Sequence, residues 1–402
     1  MKILHITFSK LGGAGIATHR LNDSLNKKKI KSQIFFFDKF NKTIVNKKLW
    51  IFHVFLKKIL VKFFSSLKKK NSISLNLFEN FDISKLIKQT KPDLVHLHWI
   101  GNEMMSMKQI SKINKPLVWT MLDMWPFTGC EHYTFDKRFI SGYNSNNRPN
   151  FENGLDLDRL VWNSKVKYLN KKNINIICPS RWVKRKIDKS SIFKSNNKFI
   201  FPTLIDHTKW KILPKKKKFN SSSNTKNKTV IFFSATSSVN YRKGFSYLVE
   251  AIDKYLDKEN FLLLVAGSKP LLFENLSIEK KFLGEIDSQK KLNEIYCKSD
   301  IFVVPSILEV LGQVFIEAGM CGIPSVAFNN TGVADIIDHK STGYLSKFRS
   351  SKDLAKGIIW CKEKMITQKN IPNIIRKKTI KKFSYKANTT KLIKIYQKVI
   401  NL

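Results

Sequence analysis

Asp300-Ile-Phe-Val-Val-Pro-Ser-Ile-Leu-Glu309-Val-Leu-Gly312-Gln-Val-Phe-Ile-Glu317-Ala-Gly-Met-Cys-Gly322-Ile-Pro324 reads as strand, loop, helix and turn, and the apolar run Ser325–Phe328 follows as a second strand. A strand, a crossover helix and another strand in so short a span make a parallel βαβ unit, the repeat of a doubly wound sheet. Glu309 falls in the loop and Gly312 near the helix start. Backbone N–H groups and the positive end of the helix dipole therefore face whatever binds there, which suits a diphosphate. Glu317 lies further along the same helix, where a carboxylate can accept two hydrogen bonds from a ribose diol.

The same alternation extends outward in both directions. Upstream in this half are the apolar runs Val230–Phe233 and Phe261–Ala266, with helical patterns from Gly244 to Tyr255 and around Gln289–Cys297. Before them, Leu213 to Asn227 is rich in Lys, Ser and Asn without apolar period, as in a solvated linker. The first half repeats the scheme: strands at Ile3–Phe8, Ser32–Phe37, Leu94–Leu97, Leu117–Thr120 and Ile174–Cys178, and a helical pattern from Gly15 to Leu25. Two α/β domains follow, 1–205 and 206–385, with the ligand site expected in a cleft beyond the carboxyl ends of the strands. At 402 residues and 43% hydrophobic, the chain is long enough for two cores.

Three further stretches sit just after strands, where such a site would draw its groups. Arg242-Lys243-Gly244 opens a helix behind Phe232–Ala235, and cations there can neutralise a departing diphosphate. Lys10-Leu-Gly12-Gly13-Ala14-Gly15 follows the first strand; it is either a plain turn or a loop that lets backbone approach a ligand closely. His96-Leu-His98-Trp99 ends another strand, with Trp119-Thr-Met-Leu122-Asp123-Met-Trp-Pro-Phe-Thr128-Gly129-Cys-Glu131-His132 beyond. His96 lies inside an apolar run and reads as packed. His98, at the strand end, is the candidate for chemistry.

Taken together these motifs resemble glycosyltransferase family 4, whose second domain carries two glutamates separated by seven residues in a Pro-Ser-x-x-Glu…Glu-Ala…Gly-x-Pro setting. The resemblance implies the GT-B fold: α/β, with two doubly wound Rossmann-like domains facing across a cleft, the first for the acceptor and the second for a nucleotide-sugar donor. It also implies that Phe383-Ser-Tyr385 leads into a last helix, 386–402, that packs back on the first domain. By the same resemblance Glu309 contacts the donor sugar and Glu317 the ribose; Gly12, Gly13, Gly312, Gln313 and Val314 cradle the donor; and Lys243, with Arg242, stabilises the leaving group. Asp123 and His132 would touch acceptor or sugar. Cys178-Pro-Ser-Arg-Trp182 and Phe201-Pro-Thr-Leu-Ile-Asp206 fit the interdomain stretch, with Thr203 in place of an Asn.

The first half resembles the branch found in capsule, O-antigen and colanic-acid-type polysaccharide synthesis, and the chain departs from the expected pattern once in each half. Ala235 and Thr236 stand where that family shows an Arg, and Leu122 stands where the branch shows a His thought to touch the donor sugar. Either His98 or His132 takes over part of that role, or activity is altered or lost and the chain is an impaired relative that binds nucleotide-sugar or scaffolds glycan assembly. For an active enzyme the resemblance implies a retaining, front-side displacement that requires no metal and no cofactor beyond the donor itself. A nucleotide-sugar 2-epimerase of the same general fold would lack the two-glutamate pattern.

The 73 Lys+Arg against 30 Asp+Glu give a formal net charge of +43, spread along the chain. A Lys- and Asn-biased composition produces this without selection for a ligand, and no helix-turn-helix, zinc module or basic-aromatic stripe points to nucleic acid. Five cysteines stand far apart in sequence with no Cys-x-x-Cys pair, which fits a reducing cytoplasm and argues against zinc. The start, Met1-Lys-Ile-Leu-His-Ile6, reads as a buried strand rather than a signal peptide. The most apolar region, Leu49 to Leu67, is broken by Lys57, Lys58 and Lys62, which argues against a transmembrane span. Residues 49–70 suit either a helix lying on an anionic membrane surface or a core helix with solvated lysines. The first version would put the protein on the inner face of the plasma membrane.

Overall fold

Short runs of Ile, Leu, Val and Phe that are buried along their whole length, such as Leu94–Leu97, Leu117–Thr120 and Ser325–Phe328, leave no solvated face, so each must be covered on both sides. The computed structural model, which describes residues 1–64, 72–214, 228–235 and 241–401, satisfies this with two parallel sheets flanked by helices. The chain divides into one unit of residues 1–204 with 389–402, and a second of 205–388. Most of the expected linker, the Lys68–Lys70 run and Thr236 lie outside the described residues.

The first unit runs β1 (Lys2–Thr7), α1 (Gly12–Asn26), β2 (Lys31–Phe36), α2 (Lys47–Phe64), α3 (Ile83–Thr90), β3 (Leu94–Leu97), α4 (Met107–Ser111), β4 (Leu117–Thr120), α5 (Leu157–Leu169), β5 (Asn175–Cys178), α6 (Arg181–Ile187) and β6 (Lys198–Ile200). Its strand order is β2-β1-β3-β4-β5-β6, all parallel. The second unit holds β7 (Thr229–Ala235), α7 (Phe245–Tyr255), β8 (Phe261–Gly267), β9 (Glu279–Phe282), α8 (Gln289–Lys298), β10 (Ile301–Val303), α9 (Gln313–Met320), β11 (Ser325–Phe328), β12 (Gly343–Ser346), α10 (Ser351–Thr367) and α11 (Ile371–Phe383). Its order is β12-β11-β10-β7-β8-β9, again all parallel. Finally α12 (Tyr385–Ile400) starts in the second unit and ends in the first.

Strand order reverses between β1 and β3 in the first sheet and between β7 and β10 in the second. Loops leaving these neighbouring strands in opposite directions open a crevice at their carboxyl ends, where doubly wound sheets bind ligands. Side chains cap α3 (Asp82), α4 (Ser106), α5 (Asp156), α6 (Ser180), α8 (Ser288) and α10 (Ser350), whereas α1, α7, α9 and α11 have no side-chain cap. Of these, α1, α7 and α9 follow β1, β7 and β10, three of the four switch-point strands.

Candidate functional site

In the second unit the chemistry gathers at the β7/β10 switch point. Glu309 sits in the loop between β10 and α9, its carboxylate 2.6 Å from the Lys243 ammonium and 3.4 Å from Arg242. Backbone bonds hold the two loops together: the Ile307 N–H donates to the Arg242 carbonyl (2.8 Å), and the Arg242 guanidinium to the Leu308 carbonyl (2.7 Å). Between them Gly244 adopts φ +71°, and a Cβ there would lie 2.0 Å from the Pro305 carbonyl oxygen, so only glycine lets the loops meet. Burial pushes the Glu309 carboxyl up, but Lys243 and Arg242 more than offset this and hold it below the ordinary range. Burial also pulls Lys243 down, against the raising effect of Glu309. Two cations against one carboxylate leave the cluster one positive charge in excess. That charge stands beside the start of α9, where Gly312, at φ +90°, precedes Gln313 and Val314. Glu317 lies buried on the same helix.

Arg242 is thus brought to Glu309 together with Lys243. A basic pair in so lysine-rich a sequence carries little meaning until its carboxylate partner is located. The cysteines, well separated in sequence, include one close pair. Cys297 and Cys321 share a hydrogen bond that helps lower the Cys297 thiol to about 7, while burial pushes Cys321 up. None of the five cysteines is in a disulfide among the described residues.

At the β1/β3 switch point, Gly12 and Gly13 open α1, Gly12 at φ +72°. Three buried histidines lie on β1 (His5), on β3 (His96) and just beyond β3 (His98). The His5 Nδ1 is 3.0 Å from the His98 Nε2, and the other His5 nitrogen is 3.0 Å from the Ser32 hydroxyl. His96 is 2.7 Å from both the Thr120 and Tyr396 hydroxyls. His96 is packed, as its apolar setting implies, and His98 also turns inward, 3% exposed. The three rings lie close enough to share a metal ion, yet both ring nitrogens of His5 and of His96 are already engaged by neighbouring side chains.

These histidines have a measurable consequence. Burial pulls His5 down to about 3 and His96 and His98 well below their ordinary value. The folded state therefore prefers neutral rings, and the stability they retain at neutral pH is lost as pH falls from about 6.5 towards 3. Each such ring contributes a slope of about 1.4 kcal/mol per pH unit in that window. Urea unfolding at pH 7, 6 and 5 is expected to show this fall, and His5→Gln to reduce its slope by about one proton. An unchanged slope would count against the neutral cluster.

The loop beyond β4 carries the second polar group of this unit. Asp123 accepts from the His132 ring (2.5 Å), the Trp99 indole (2.6 Å) and the Trp125 N–H (3.1 Å). The other His132 nitrogen is 2.8 Å from the Ser74 hydroxyl. Lys165, fully buried on α5, holds the loop in place by donating to the carbonyls of Trp125, Thr128 (2.9 Å) and Gly129 (2.7 Å). Leu122, half-buried, bonds locally through its N–H to the Thr120 carbonyl. Sequence reading found Asp123 and His132 but missed Ser74, Lys165, His5 and Tyr396. Of these, Lys165 alone left a trace, as a Lys amid the apolar positions of α5.

Residues 214–378 match the family model for glycosyl transferases group 1, and residues 57–148 that for glycosyl transferase 4-like proteins. Similar proteins include an uncharacterized glycosyltransferase of Methanocaldococcus jannaschii, 28% identical over 165 residues, which are 39% of this chain and 42% of that protein. Another is the amylovoran biosynthesis glycosyltransferase AmsD of Erwinia amylovora, 32% identical over 124 residues, 29% of this chain and 34% of that protein. The alignments thus span less than half the length of either relative. Among solved structures, HepE of Anabaena in complex with UDP and glucose superposes with a TM-score of 0.65 at 16% identity, over 99% of this chain and 100% of that one. Sucrose-phosphate synthase from Thermosynechococcus elongatus gives 0.67 at 15% identity, over 100% of this chain and 99% of that one. The fold is that of the GT-B class, two Rossmann-like units with six-stranded parallel sheets. The chain carries glycosyl transferase family matches in both units, the 4-like model in the first and the group 1 model in the second.

Proposed function

We propose that this protein is a retaining glycosyltransferase that moves a hexose-type sugar from a nucleotide-sugar donor to a glycan or lipid-linked acceptor in cell-surface polysaccharide synthesis. The observation that carries this reading is the Lys243–Glu309–Arg242 cluster at the head of the uncapped helix α9. Its excess positive charge suits the charge that builds on a departing nucleoside diphosphate. In this reading Lys243 and Arg242 hold the leaving group, the amides at Gly312, Gln313 and Val314 take phosphate oxygens, Glu309 orients the sugar and Glu317 binds the ribose. Gly12 and Gly13 approach the donor phosphates, and Asp123 and His132 serve the acceptor side. His98, with its ring turned inward, acts as a positioning residue. Cations and amides carry the diphosphate charge, so the reaction needs no metal. The name of the amylovoran relative supports the polysaccharide setting.

Among the described residues no helix is long and apolar enough to cross a membrane. On α2, Phe52, Phe55 and Phe63 are exposed beside lysines, which supports peripheral attachment to an anionic membrane surface, and with it a place on the inner face of the plasma membrane.

A thermal-shift screen against nucleoside diphosphates and nucleotide-sugars tests the donor site. One nucleotide family is expected to stabilise the protein, by about 2.7 kcal/mol at a hundredfold excess over Kd, and Glu317→Ala to abolish the effect. If no nucleotide stabilised the protein, the donor reading would fall. Binding without sugar transfer would instead favour the scaffolding role, and restoring the branch residue with Leu122→His would then be the variant to assay.

A further inference from the structure

In the first unit a cavity of about 710 Å³ lies against the last turns of α2, within the range of small-ligand sites. Lys57, Lys58 and Lys62 line it from α2, Lys58 and Lys62 at the four-residue spacing that places them on one side of the helix. Trp99, His132 and Ser74 line it as well. Lys57 is ion-paired with the buried Glu103 carboxylate, 3.3 Å away. Lys58 and Lys62 are exposed and have no carboxylate within 4 Å among the described residues; Lys62 instead lies over the Phe63 ring. The Asp123 carboxylate behind the cavity is taken up by His132, Trp99 and Trp125. Two uncompensated cations therefore face a cavity with an indole and hydrogen-bonding side chains in its wall.

Ser74, His132 and Asp123 stand in the order of a hydrolytic triad. The Ser74 oxygen, however, also accepts the Asn102 N–H at 2.6 Å, which draws electron density from it and makes it a poor nucleophile. Their arrangement serves instead to orient polar groups on the cavity wall.

We propose that this cavity binds a sugar bearing an anionic group, phosphate or carboxylate, as the acceptor, with the pyranose against Trp99 and the anion on Lys58 and Lys62. An aromatic face accepts the apolar C–H face of a pyranose, and ammonium groups at the rim of a low-dielectric pocket attract an anion over a Debye length. The inference rests on the reading of the first unit as the acceptor-binding half. A phosphate would come from a carrier-linked sugar and a carboxylate from a uronic acid.

The test is titration calorimetry of the full chain with methyl glucoside, glucose 1-phosphate and glucuronic acid, on wild type and on the Lys58→Ala/Lys62→Ala variant. Both lysines are exposed, so the variant is expected to melt like wild type. At least one charged sugar is expected to bind about tenfold more tightly than methyl glucoside, with the preference lost in the variant and weakened by salt. Preference for the phosphate alone points to the carrier-linked acceptor, and for the carboxylate alone to the uronic acid. Equal binding of the neutral sugar, no binding of any of the three, or a preference that survives in the variant overturns the proposal. Nucleotide stabilisation, measured in parallel, reports on the second unit. Its loss with the sugar preference intact would sink the donor reading and leave the anion site standing.

Discussion

Replacing Lys243 by alanine is expected to lower kcat about 100- to 1000-fold, while the KM for the donor changes much less. The ammonium is 2.6 Å from Glu309 and shares it with Arg242, so in the resting protein it is already partly neutralised. In the proposed reaction its full worth is expected only when negative charge grows on the leaving diphosphate. An interaction that strengthens towards the transition state appears in kcat rather than in KM. The size follows from removing one preorganised charge-stabilising group from a water-poor site. Steady-state kinetics with the donor that the thermal-shift screen identifies would measure it. A loss of less than tenfold would show that the cluster is a structural ion pair, and Lys243→Ala would then reveal itself in the melting temperature instead.

The second large effect is on stability. Lys165→Met is expected to destabilise the first unit by about 3–5 kcal/mol, because it removes a buried charge that three carbonyls have been built to receive. Burial pulls this lysine down to about 7, yet only the protonated amine has three N–H groups for the oxygens of Trp125, Thr128 and Gly129. Methionine matches the length of the stem and fills its space, so the loss reports the hydrogen bonds rather than a cavity. Denaturant unfolding with an unchanged m-value would confirm it. A change under 1 kcal/mol would mean that water reaches the three carbonyls and replaces the ammonium.

These two lysines also show what a sequence does and does not display. The place of Lys243 at a helix start was legible because strand, loop and helix follow one another within a few residues, and each announces itself by apolar period, Gly and Pro, whereas its pairing with Glu309 was not. Glu309 and Glu317 were legible for the same reason. Lys165 was not, since its acceptors lie 36 to 40 positions away in a loop whose path nothing local dictates. The histidines divide in the same manner. That His96 is packed could be read from its neighbours, whereas its bond to Tyr396, 300 positions on, depends on where the last helix returns. The inward turn of His98 depends on the parallel register that sets His5 opposite His96 and brings its ring within reach of His98. The carboxyl ends of the strands could be placed roughly from alternating strands and helices, but the switch points needed the three-dimensional strand order.

The return of α12 to the first unit bears on the order in which a ribosome delivers the fold. Residues 205–388 are contiguous and can close their sheet as they emerge. The first unit, though begun earlier, lacks Tyr396 until the last described helix is released, and His96 has until then only Thr120 as a hydroxyl partner. Its polar core is thus finished last, after the younger half of the nascent chain is already in place. A translation product terminated just after residue 388 would carry all of the second unit and an unfinished first one.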